Sequence, residues 1–359
     1  MSEETGMTRQ NKYNIVLDYL RIAAMLGVLL IHFSAYFPVP GLSAVAKYGK
    51  YGVQVFFVIS AYLGCSFFSS GRADTLKYYK RRALRILPTY YAAIIVAIVY
   101  VECVLGGFVP DSWHLGWLRY FLGLNTILPS NSFGHWNNCF AFWTMTEFIL
   151  FYAIVPYLLK LVYNFRRCLV FFIICCVVAY VCRKGSAYIP ETCFSDPAAF
   201  IRFTPLCQMQ YFALGMLGYF AARENKTNLR KYWNQARNKG LAVLWVVLAL
   251  LPAFMAGGSG TTFALIALAC ILYVRNDAVM LQGKSLALVR FVARYSFHVY
   301  LTHFLALGAA EMAVKNMGNI SGMAAYGLQF VLTIGIIFLL CAVLELAQRI
   351  CNKWFARVC

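Results

Sequence analysis

Three ionisable residues, Asp18, Arg21 and His32, interrupt one apolar run near the N-terminus, YNIVLDYLRIAAMLGVLLIHFSAYF at residues 13–37. The run can cross a bilayer as a helix, which needs about 20 apolar residues. An ionisable group at mid-membrane costs on the order of 3 kcal/mol, so such groups usually face a protein-lined cavity and mark a function. Arg21 and His32 are eleven positions apart, about 20° around a helix and roughly 16 Å along it, so they share a face. Asp18 precedes Arg21 by the i,i+3 spacing of an ion pair. The plainer alternative is a buried arginine tied to Asp18 beside a packed histidine.

Three further places carry reactive side chains. Glu147 lies about eight residues inside the run FAFWTMTEFILFYAIVPYLL, where a carboxyl needs a partner, a proton or water. A structural ion pair would satisfy it as well as catalysis would. Ser296, Tyr300 and His303 of RYSFHVYLTHFLAL fall within about 60° of one helical face, with His298 turned away from His303. A histidine bonded to a neighbouring helix is the alternative there. Lys80, Arg81, Arg82 and Arg85 cluster before Pro88 in TLKYYKRRALRILPTYY. They read either as a membrane-surface anchor, each cation contributing on the order of 1 kcal/mol, or as a phosphate clamp, because guanidinium matches phosphate oxygens two at a time. His114 and His135, among Trp113, Trp117 and Trp136, suit the membrane interface. The thirteen cysteines lack metal-site spacing, so no metal is expected.

The elements that must hold these residues are membrane helices. With 62% hydrophobic residues, 13% charged residues and a mean hydropathy of +0.66, a soluble protein would be covered in apolar surface. The chain therefore reads as an all-α, polytopic integral membrane protein. About ten spans can be drawn, at 13–37, 51–70, 86–105, 139–160, 168–182, 206–222, 240–256, 261–275, 296–313 and 323–347. A net charge of +19 would suit nucleic acid, but the cations fall mainly in alternate loops and not on a DNA-binding face. With the N-terminus inside, only Lys47, Lys50, Arg119, Arg183, Lys184, Arg202 and Lys315 lie in outer loops, so both termini are expected in the cytoplasm. The first run is too long for a signal peptide and lacks a small-residue cleavage site, and is read as a retained span. The organisation expected is a cytoplasmic tail at 1–12, a membrane domain at 13–348 and a cytoplasmic tail at 349–359. Gly52, Ser60, Ala61 and Gly64 in the second span suit close helix packing. The long outer connection at 106–138 is expected to hold a short interfacial helix near Leu115–Leu124, and residues 257–260 to turn a hairpin between the seventh and eighth spans.

LDYLRIAAMLGVLLIH resembles the first helix of the membrane-bound acyltransferase 3 family, whose signature is an arginine, ten residues, then a histidine. Four further blocks follow in family order. The second span, YGVQVFFVISAYLGCSFF, is similar to G-V-x-x-F-F-V-x-S-G-x-L, with Ala61 where glycine is usual. Arg81, Arg82, Arg85, Pro88 and Tyr90 fit R-R-x-x-R-I-x-P-x-Y; Trp143, Glu147, Phe151, Tyr152 and Pro156 fit W-x-L-x-x-E-x-x-F-Y-x-x-x-P. Ser296, Tyr300 and His303 fit I-S-x-x-x-Y-L-x-H, and Glu345 stands near the close of the last span, as in the family.

The resemblance implies transfer of an acyl group, usually acetyl, from cytoplasmic acyl-CoA to a hydroxyl of an envelope glycan or lipid-linked sugar at a bacterial cytoplasmic membrane. Under it Arg21, Arg81, Arg82 and Arg85 bind acetyl-CoA, His32, Glu147 and His303 are catalytic, and Asp18 and Tyr300 support them. Some relatives carry an appended extracytoplasmic domain; here the chain stops soon after its last span, so transfer is expected to be direct or completed by a separate extracytoplasmic protein. A thioester is already activated, so the enzyme must position it, deprotonate the hydroxyl and stabilise the oxyanion. An imidazole of ordinary pKa about 6.5 suits the base, with His32 the candidate; a transient acyl-histidine is the rival role. A proton-coupled transporter using the buried Asp, Arg, Glu and His as a relay is the alternative from another class, and a lipid or acyl-CoA sensor a third. Depths counted from the ends of the spans predict two polar layers, an inner one with Arg21 and His303 and an outer one with His32 and Glu147.

Overall fold

A computed structural model describes residues 14–36, 41–69, 74–104, 117–128, 141–190, 196–224, 260–274, 279, 281–318 and 322–358. All regular structure among them is helical: α1 (Ile15–Tyr36), α2 (Leu42–Ala46), a 3-10 turn (Gly49–Tyr51), α3 (Gly52–Phe68), α4 (Thr75–Cys103), α5 (Leu118–Phe121), α6 (Trp143–Leu161), α7 (Phe165–Gly185), a second 3-10 turn (Ser186–Tyr188), α8 (Pro197–Phe203), α9 (Pro205–Glu224), α10 (Gly260–Tyr273), α11 (Gly283–Asn316) and α12 (Gly322–Val358). Seven of these stretches are long and apolar enough to cross a membrane, and they carry the expected spans of α1, α3, α4, α6, α7, α11 and α12. α9 and the 14-residue α10 stand where the sixth and eighth spans were expected. The tail at 1–12, His114, His135, Trp113, Trp136, the basic loop from 225 to 239, the seventh span at 240–256 and residues 257–259 of the expected hairpin lie outside the described residues.

Several helices start where a short polar side chain fills the orphan amide of the first turn. The Asp74 carboxylate accepts from the Leu76 amide at 2.9 Å, Asn164 from Arg167 at 2.9 Å, and Asp196 from Ala199 at 2.8 Å ahead of Pro197. The long helices overrun their apolar cores. α4 begins at Thr75 and includes the whole basic cluster, α11 begins at Gly283, thirteen residues before the expected span, and α12 continues past residue 348 to Val358. Charged residues end an apolar run without ending a helix, because Lys, Arg, Gln and Glu are good helix formers.

α9 packs against α7 and α3, α11 against α12 and α1, and α12 against α4. At the centre Phe57 of α3 lies between Phe148 of α6 and Phe212 of α9, with ring centroids 5.1 and 4.6 Å away, and Phe151 stacks on Phe212 at 4.3 Å. In such bundles close contact comes from small residues. A side chain at Gly52 would strike the Ala24 backbone of α1, and one at Gly215 would strike Val58 and Ala61 of α3. The short helix expected near 115–124 is α5. The chain after it folds inward: the Tyr90 hydroxyl donates to Tyr120 O at 2.7 Å, Asn125 to Phe142 O at 3.0 Å and Arg119 to Leu128 O at 2.6 Å.

Candidate functional site

Arg21 lies on the wall of a cavity of about 270 Å³ formed where α1, α3, α4, α6, α11 and α12 meet. Five guanidiniums line it, from Arg21, Arg82, Arg85, Arg294 and Arg349, against one lining carboxylate, Glu345. Asp18 holds Arg21 at 2.6 Å, the i,i+3 pair expected from the sequence. Arg82 lies over the rings of Tyr152 and Tyr78, 4.9 and 5.3 Å from their centroids, a cation–π arrangement that fixes its plane. Glu345 accepts from Arg294 at 2.5 Å and from Arg349 at 2.8 Å. Gln348 ties the Arg85 carbonyl to α12 at 3.2 Å. Arg81 does not line this cavity; its guanidinium lies 5.6 Å from the Phe67 centroid. The chamber carries excess positive charge, with forked donors facing one another, and suits an anion such as a phosphate.

His32 faces a different cavity of about 500 Å³, formed by the C-terminal ends of α1, α7 and α8 and the N-terminal ends of α3, α6, α9 and α10. His303 of α11 lines it too, with the two imidazole centroids 5.2 Å apart and Phe304 4.2 Å from His32. The His303 Nδ1 lies 2.6 Å from the Tyr300 carbonyl oxygen. A carbonyl can only accept, so Nδ1 carries the hydrogen and Nε2 presents a lone pair. That Nε2 is buried and has no hydrogen-bond partner among the described residues. The cavity floor also holds Gln54, whose amide reaches Gln208 Oε1 at 3.5 Å while its own Oε1 stays unpartnered.

Tyr300 and Val53 line both cavities and so form the wall between them. The Tyr300 hydroxyl donates to Ala141 O at 3.3 Å, and its ring centroid lies 5.7 Å from that of His303. The expected pairing of layers is therefore corrected. His303 belongs with His32 and not with Arg21, because α11 starts at Gly283 and His303 lies roughly 30 Å along it. Arg21 and His32 share a helix face but open into separate cavities. Glu147 lines neither cavity; buried on α6, it accepts from the Thr126 hydroxyl at 2.8 Å.

Sequence reasoning missed Arg294 and Arg349, which reach the first cavity from helical extensions lying beyond the apolar runs. It also missed Gln54, Lys50, Arg183 and Arg202 around the second. No local pattern could have found these, since they converge from four separate elements. Among the described residues no group of His, Cys, Asp and Glu could hold a metal ion.

Comparison with known families gives a match to the family model described as "Acyltransferase domain" over residues 14–346. No curated protein and no solved structure matches the chain.

Proposed function

We propose, from the premise that this chain belongs to the acyltransferase 3 family and is a membrane acyltransferase, that it moves an acetyl group from cytoplasmic acetyl-CoA to a hydroxyl of a cell-surface polysaccharide or lipid-linked sugar. The observation that carries this reading is the pair of cavities back to back, arginines lining one and two histidines the other, with Tyr300 between them. The arginine chamber is the donor side. At about 270 Å³ it takes the phosphate and pantetheine part of CoA, below the usual range for a whole drug-sized ligand, and the rest of the nucleotide stays at the cytoplasmic surface. Arg21, Arg82 and Arg85 hold the phosphates, and Asp18 orients Arg21.

The pantetheine arm then carries the thioester past Tyr300 to His32. There the acceptor hydroxyl gives its proton to His32 as its oxygen attacks the thioester carbonyl. His303, its tautomer fixed by the Tyr300 carbonyl, offers the Nε2 lone pair beside the imidazolium so formed. The C–S bond breaks, the thiolate leaves and takes the proton from the His32 imidazolium, and the ester remains with the acceptor. This geometry favours direct transfer within one chain over a relay through a separate extracytoplasmic protein. The protein belongs in this reading to the bacterial cytoplasmic membrane, and the distribution of cations supports an arrangement with both termini and the Lys77–Arg85 cluster inside.

The test is transfer of label from acetyl-CoA to envelope glycan by the protein in vesicles. His32→Ala is expected to abolish transfer with acetyl-CoA affinity nearly kept; Arg21→Ala is expected to weaken binding and turnover together. Accumulation of a solute without a covalent product would contradict this function and support a transporter.

A further inference from the structure

We infer that the acceptor carries an anionic group, a carboxylate or a phosphate, near the hydroxyl that is acylated; this rests on the histidine cavity being the acceptor side. Lys50, Arg183 and Arg202 all line that cavity, and among the described residues no carboxylate does. They come from three places in the chain, the turn before α3, the last turn of α7 and the last turn of α8. Four cations elsewhere in the molecule have carboxylates: Arg21 has Asp18, Arg294 and Arg349 share Glu345, and Lys315 has Glu311; others, such as Arg81 and Arg82, lie over aromatic rings instead. Among the described residues none of the three rim cations has a carboxylate within ion-pair distance.

Their backbone and side-chain contacts leave the charge directed at the cavity. Arg183 spends only Nε on the Ala179 carbonyl at 3.0 Å, and Lys50 lies 5.1 Å from the ring centroid of Tyr51. Arg202 is held by its carbonyl, which accepts from Gln208 Nε2 at 2.7 Å. The side chains of all three are exposed at the mouth.

The floor points independently to a bound ligand. Gln54 Oε1 and His303 Nε2 are buried, line the same cavity and have no partner among the described residues. Both are acceptors here, and an unfilled buried acceptor is costly. A hydroxyl-bearing ring supplies the donors they lack, whereas a simple anion would not. The two halves of the cavity thus read two parts of one molecule: hydroxyls at the floor, a negative charge at the rim. Exposed cations act mainly through long-range attraction, which raises encounter and affinity without touching the chemical step, and which salt screens.

The experiment uses the full chain in vesicles, with two readouts. Equilibrium dialysis of labelled sugars without donor measures acceptor binding; acetyl transfer from labelled acetyl-CoA measures turnover. The probes are a uronic-acid disaccharide, its neutral hexose counterpart, a polyprenyl-phosphate-linked sugar and the same sugar free. Binding of an anionic probe at least about tenfold tighter than its neutral partner is expected from three contacts of this kind. That preference should shrink several-fold in the Lys50→Gln, Arg183→Gln, Arg202→Gln triple variant and in high salt, with kcat little changed. Which anionic probe shows it separates a carboxylate from a lipid phosphate. Equal binding of charged and neutral probes, or a preference that survives both salt and the triple variant, would overturn the inference. Retained acetyl-CoA affinity reports that the triple variant is folded, and the salt titration on the unaltered protein needs no variant. A charge preference in dialysis without any acetyl transfer would uphold the anionic site while contradicting the proposed function.

Discussion

At the residue scale, the division of arginines is the most discriminating detail. Arg82 and Arg85 line the arginine cavity, proposed as the donor side, whereas Arg81 lies against Phe67 away from it. A charge-assisted bond to phosphate contributes about 1.5–3 kcal/mol, so Arg82→Gln or Arg85→Gln is expected to raise the Kd for acetyl-CoA roughly tenfold or more. Arg81→Gln should stay within about twofold. Isothermal titration on the three variants decides the matter, and equal effects would return the cluster to an unspecific membrane anchor. Tyr300 gives a second residue-scale expectation. Tyr300→Leu keeps apolar bulk but removes the hydroxyl held on Ala141 O and thins the wall. Water then reaches the thioester, and the ratio of acetyl-CoA hydrolysis to acetyl transfer should rise. An unchanged ratio would mean that the wall does not exclude water.

At the element scale, Glu147, which lines neither of the two cavities, is expected to serve position rather than the chemistry its sequence suggests. Its bond to Thr126 fastens the segment after α5 onto α6, beside the Asn125 contact to Phe142 O. Losing a buried hydrogen bond costs about 1–3 kcal/mol. Glu147→Ala and Thr126→Val are therefore each expected to lower Tm by a few degrees, and the double variant to lose little more than either alone. A large loss of kcat in Glu147→Ala with Tm unchanged would restore a catalytic role. The apolar runs made most spans legible, since hydrophobic length alone dictates them, and the Arg21–Asp18 pair was legible because both ends lie on one turn. The overruns of α4, α11 and α12 were not, because charge ends an apolar run before the helix ends. The Arg294–Glu345 bridge spans two helices, and the meeting of His32 with His303 depends on where α11 begins. Distances of that kind are set by packing and lie outside any local pattern.

At the scale of the whole molecule, the two cavities follow one another along shared helices: Arg21 lines the first and Val28 to His32 the second along α1, and Ala293 to His298 the first and His303 with Phe304 the second along α11. The N-terminal part of α4, the middle of α11 and the C-terminal part of α12 surround the arginines, while the C-terminal ends of α1 and α7 and the N-terminal ends of α3, α6 and α9 surround the histidines. Under the proposed topology the donor chamber opens to the cytoplasm and the acceptor cavity to the outside. Cysteines placed at 77–85 or 226–239 should then resist an impermeant thiol reagent added outside, and one placed at Pro190 should react. Labelling of 226–239 from outside would invert the arrangement. The central claim is that an acyl group crosses between the cavities while CoA does not, and the most direct test keeps donor and acceptor on opposite sides of the membrane. Labelled acetyl-CoA is enclosed with the cytoplasmic face of vesicles carrying the full chain, and glycan acceptor is supplied only to the outer face. The account predicts labelled glycan outside, no CoA outside, and no label transferred by His32→Ala although it still binds acetyl-CoA. Labelled glycan formed at full rate by His32→Ala, or formed only when donor and acceptor share one side, would contradict it.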